Sequence, residues 1–189
     1  MSEAQPAGAG GLFLYEASVL VGAAAFGCLL ARSYFAEAVD FHRPRRLAEY
    51  WDVQHYAALA TCILAPTTIA VAGLLLHRFR RGRLGRPPGP GELGCYAASG
   101  VLLVEGACFA ATTAIRLMQH RDSETLWFLM TPWLPQAGYA VAASWATLRL
   151  TGNWRGERTP LERISRLVGF AWLLALAIFL LLRARALIW

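Results

Sequence analysis

Five long apolar runs, separated by short polar stretches, occupy most of this 189-residue chain. They fall at about 12–35, 54–77, 95–118, 125–150 and 164–187. Crossing the hydrocarbon core of a bilayer as a helix takes about 20 mostly apolar residues, and each run is that long. The pattern predicts an all-α, polytopic integral membrane protein, a five-helix transmembrane bundle. A small polar tail, residues 1–11, precedes a single transmembrane domain over 12–189 and is expected to be disordered.

The first run places Glu16, Leu20, Ala23 and Gly27 at i, i+4, i+7 and i+11, so they share one helical face. Ser18 and Gly22 form a small-xxx-small pair of the kind that lets helices approach closely in lipid. Glu16 lies about one turn into the run, within reach of the headgroups, which predicts a wet interfacial carboxylate. In the loop that follows, Pro44 could open a short surface helix carrying Arg45, Arg46, Glu49, Tyr50 and Trp51. The second run holds Pro66 near its middle, followed by Thr67 and Thr68. Proline removes a backbone donor and kinks a helix, and threonine hydroxyls can serve the freed carbonyls.

The third run is the most informative. Glu105 sits near its centre among small residues such as Gly106, Ala107, Ala110 and Ala111. Glu105, Cys108, Thr112 and Arg116 fall on one face. Glu105 and Arg116 are about 16 Å apart along a helix axis, too far to pair. The fourth run carries Pro132 and Pro135, then Gln136, which predicts a kinked or broken stretch. Irregular backbone at membrane depth is tolerated only inside protein or beside a wet cavity. Asp122 or Ser123 is the expected N-cap. The fifth run is the most uniformly apolar.

Charge refines the topology. Net charge is +6, and all 18 basic residues are arginine. Arg78, Arg80, Arg81, Arg83 and Arg86 cluster between the second and third runs, where they suit contact with anionic lipid headgroups. Arginines dispersed between apolar runs set orientation and do not indicate nucleic-acid binding. Their distribution slightly favours a cytoplasmic N-terminus, in a bacterial-type plasma membrane. The first ten residues lack the basic segment of a cleavable signal peptide. Four cysteines, Cys28, Cys62, Cys95 and Cys108, lie in or beside apolar runs with no CxxC spacing, which favours packed free thiols over a metal site or disulfide.

An intramembrane carboxylate is costly and is a functional hypothesis by default. Glu105, Thr112, Arg116 and Gln136 form the candidate intramembrane polar site. A protonatable carboxylate beside broken helices is what proton-coupled transport requires; hydrogen bonding between helices is the plainer role. The chain contains no HExxH, GxSxG, GxGxxG or P-loop motif. No histidine lies mid-run to hold a haem, and no cofactor is expected. Three functions remain, in order. First is a non-catalytic subunit or scaffold, with a membrane-protein partner or further copies of itself. Second is a small proton-coupled carrier or channel using Glu105. Third is a membrane-embedded enzyme acting on lipid, for which no nucleophile or acid–base pair is visible.

Overall fold

In a computed structural model the described residues are 14–39, 48–80, 88–118, 133–154, 156 and 159–188. They form five helices: α1 (Leu14–Val39), α2 (Ala48–Arg80), α3 (Pro90–Met118), α4 (Trp133–Leu150) and α5 (Pro160–Ile188). No strand occurs among them. Segments of α1, α2, α3 and α5 are long and apolar enough to cross a membrane. The protein is an all-α membrane bundle.

The helix starts follow local chemistry. Pro90 and Pro160 occupy first helical positions, where a missing N–H costs nothing. Ahead of α5, the Glu162 N–H donates to Thr159 Oγ1 at 3.3 Å and Glu162 Oε2 accepts from the Thr159 N–H at 3.4 Å, a reciprocal capping box. Glu92 Oε2 likewise accepts from the Gly89 N–H at 2.7 Å ahead of α3. Helix α3 therefore begins at Pro90, five residues earlier than its apolar run.

Helices α2 to α5 all pack on one another around a core that includes Val71, Leu75, Leu102, Leu134, Val141 and Trp172. Trp145 of α4 lies in a notch between Gly94 of α3 and Gly169 of α5, and its Nε1 donates to the Pro90 carbonyl at 2.7 Å. Helix α1 stands outside this core and packs chiefly on α2. Neighbours in sequence run antiparallel. One face of the bundle, the first face, thus gathers the starts of α1, α3 and α5 and the ends of α2 and α4.

The α1 face read from the sequence is the one laid on α2: Glu16 and Gly27 are buried, and Leu20 and Ala23 are half-buried. At Gly27 the helices nearly touch. A Cβ there would lie 2.9 Å from the Ile63 carbonyl oxygen and 3.0 Å from that of Cys62. Pro66 has no N–H to offer Cys62, four residues back. The freed Cys62 carbonyl thus meets the Cα hydrogens of Gly27, a weak but favourable contact. Thr68 Oγ1 donates instead to the Leu64 carbonyl at 2.7 Å. Ser18 and Gly22, the small pair, are exposed, with open space above Gly22.

Several expectations fall outside the described residues: the disordered tail, the loop positions Pro44, Arg45 and Arg46, the Asp122 or Ser123 cap, and Pro132. Helix α2 already includes Tyr50 and Trp51. Pro135 lies in the first turn of α4, so it starts that helix and breaks nothing inside it.

Candidate functional site

Glu105 lies on the same side of α3 as buried Ala98 and Leu102, seven and three residues before it. It is half-buried, and among the described residues nothing hydrogen-bonds its carboxyl group. The first half of α3 is more deeply buried than this half. Thr112 is half-buried and donates to the Cys108 carbonyl of its own helix at 2.8 Å. Arg116 belongs to the last turn of α3, with its side chain outside the described set. Gln136 is exposed in the first turn of α4. Glu105, Thr112 and Gln136 are not bonded to one another.

A different polar set starts from the point where α3 meets α2. Ser99 Oγ donates to the Thr68 carbonyl at 3.4 Å, and Trp172 Nε1 donates to Thr68 Oγ1 at 2.8 Å, so α2, α3 and α5 are tied at one level. Seven residues are about two turns and 10 Å, and they return to nearly the same face. One such step from the node reaches Thr61 on α2 and Gly106, beside Glu105, on α3. A second reaches Gln54 and Thr113. Thr61 Oγ1, Gln54 Oε1 and Thr113 Oγ1 are buried atoms without a hydrogen-bond partner. Trp133 Nε1, at the start of α4, is another. Its ring meets Phe109 edge to face, centroids 5.9 Å apart. The signal was present in the sequence as Gln54, Thr61 and Thr68 at heptad spacing, but it acquires meaning only opposite Ser99 and Thr113.

The other unanticipated feature is an ion pair. Arg78 Nε donates to Glu16 Oε1 at 2.7 Å and Arg78 Nη2 to Glu16 Oε2 at 2.5 Å. Glu16 is 0% exposed and Arg78 8%. This replaces both expectations for these residues: Glu16 is not a wet interfacial carboxylate, and Arg78 is turned into the protein and not toward headgroups. The arginine belongs to α2, which continues past the end of its apolar run. Arg80 is exposed, as a headgroup contact would be, while Arg81, Arg83 and Arg86 lie outside the described residues. At the opposite end of the same helix pair, the Tyr34 hydroxyl and His55 Nδ1 share a hydrogen bond, with their rings edge to face.

Cys62 and Cys95 are buried free thiols and Cys28 and Cys108 exposed ones. Among the described residues no group of three or more His, Cys, Asp or Glu side chains could hold a metal ion. Compared with known protein families, curated proteins and solved structures, the chain matches none. It is an integral membrane protein by its apolar helices.

Proposed function

We propose that the protein is a small membrane carrier or channel that passes protons, alone or with a small polar solute, along the α2–α3 seam. One observation supports this: buried polar atoms of Gln54, Thr61 and Thr113 lack partners and recur at two-turn steps from the Thr68–Ser99 node, along α2 and along the helix that carries half-buried Glu105. Buried polar groups in proteins are almost always satisfied, and ordered water supplies the partner where protein does not. A file of water along this seam would carry protons as far as the Thr68 node, with Glu105 taking up and releasing them. The bonds among Ser99, Thr68 and Trp172 form a gate that must part for protons to cross to the first face.

The test is proton flux into proteoliposomes holding a pH-sensitive dye. Wild-type protein should conduct, and Glu105→Gln, still folded by thermal unfolding, should lose at least about tenfold of the rate, as expected for loss of a positioned proton-transfer group. No flux from the wild type, or undiminished flux from the variant, would sink the reading.

A second reading, a non-catalytic subunit or scaffold, is favoured by α1. It holds to the bundle by one face and leaves Ser18, Gly22 and Ala25 exposed on another. Native mass spectrometry after gentle extraction separates the two. A stoichiometric partner protein supports the subunit, and a monomer or homo-oligomer supports the carrier.

A further inference from the structure

We infer that the surface of α4 and α5 beside Trp154, on the first face, binds an anionic phospholipid, with exposed Arg149 meeting the headgroup phosphate and Arg166 adding positive charge beside it. The guanidinium carbon of Arg149 lies 5.8 Å from the centre of the Trp154 ring, and that of Arg166 lies 5.5 Å from it. Arg166 is also 5.7 Å from the centre of Phe170. Indole is the best aromatic platform for a cation, and one ring here carries two.

The platform is rigid. Helix α4 ends in a Schellman motif: Asn153 N–H donates to the Leu148 carbonyl at 3.0 Å, Gly152 N–H to that of Arg149 at 3.3 Å, and Gly152 has φ +69°. Only glycine takes that conformation at no steric cost. The turn folds Trp154 back onto Trp145, edge to face at 5.7 Å, and Trp145 is itself held by Pro90 and its glycine notch. Arginine positions are thus set by the fold before any ligand arrives.

The surroundings select the ligand. Glu92 and Glu162 already cap the starts of α3 and α5 on the same face, so the ligand's charge is met by arginine and not by the helix ends. Guanidinium forks match phosphate oxygens, and tryptophan and arginine are at home at the membrane boundary. Alongside lie exposed Leu150, Leu167 and Phe170, which offer acyl chains a surface. A free anion would leave that apolar surface unused.

Native mass spectrometry of the detergent-purified protein with an equal mixture of phosphatidylglycerol and phosphatidylcholine tests the site. Wild type should retain phosphatidylglycerol in preference. Arg149 is exposed, so Arg149→Gln leaves the fold intact and should lower that retention about fivefold, the worth of one arginine near an anionic surface. Arg80→Gln, an exposed arginine of the same face, should change it little. Equal loss in both variants, or equal retention of the two lipids, would overturn the site. Displacement of the lipid by inorganic phosphate would overturn the lipid as its ligand.

Discussion

Arg78 grips both carboxylate oxygens of Glu16 across 62 residues of sequence, with both side chains buried between α1 and α2. Two desolvated charges are tolerated together and costly apart. Breaking a buried pair from one side typically costs about 3–5 kcal/mol, whereas replacing both members with apolar residues of similar volume is often neutral. Glu16→Ala and Arg78→Ala should each lower the midpoint of SDS-induced unfolding strongly. The double variant Glu16→Leu/Arg78→Met should recover most of the loss. A double variant as unstable as the sum of the two single ones would mean that the charges act independently.

The Gly27 contact predicts opposite outcomes for two glycines of one helix. Gly27→Ala drives a methyl group onto the backbone at Cys62 and Ile63, with no flexible side chain to yield, and should cost about 1–3 kcal/mol by overpacking. Gly22→Ala meets nothing within 4 Å and should be neutral or stabilise by up to about 1 kcal/mol through helix propensity. Unfolding of the two variants side by side checks the pair. Equal effects would place the close approach elsewhere.

Thr68 joins three helices through one side chain and its carbonyl. Thr68→Val leaves the buried Trp172 indole N–H without an acceptor, at a cost of about 1–3 kcal/mol. Thr68→Ser retains the oxygen and should cost less. In the conduit reading Thr68→Val also loosens the closed end of the seam, so proton leak through proteoliposomes should rise. A tight Thr68→Val protein would show that this node closes nothing.

Run length alone locates α1, α2, α3 and α5, because a bilayer sets the length that an apolar helix must have. Periodicity then identifies the packed face of α1, from Glu16 to Gly27, correctly as one stripe. What that stripe meets was not legible. Arg78 reads as one of five loop arginines until α2 is seen to reach Arg80, which carries it onto the buried face continuing from Val71 and Leu75. The backbone donor missing at Pro66 was legible, but its consequence for Gly27 depends on a neighbouring helix. The seam was least legible, because Gln54, Thr61 and Thr113 are unremarkable singly and become a set only when Ser99 fixes the register of α3 on α2.

The Glu16–Arg78 pair also sets a schedule for biosynthesis. The ribosome delivers Glu16 to the membrane 62 residues before its partner. At about 5–20 residues per second that interval is roughly 3 to 12 s. Through it, α1 holds a carboxylate with no arginine to receive it, and its docking stripe has no α2 to lie on. Helix α1 is therefore made before the helix that secures it, and the α1–α2 pair can close while α3, α4 and α5 are still to come. A nascent chain stalled before Arg78 should expose α1 to crosslinking by the insertion machinery, and one stalled well beyond it should not.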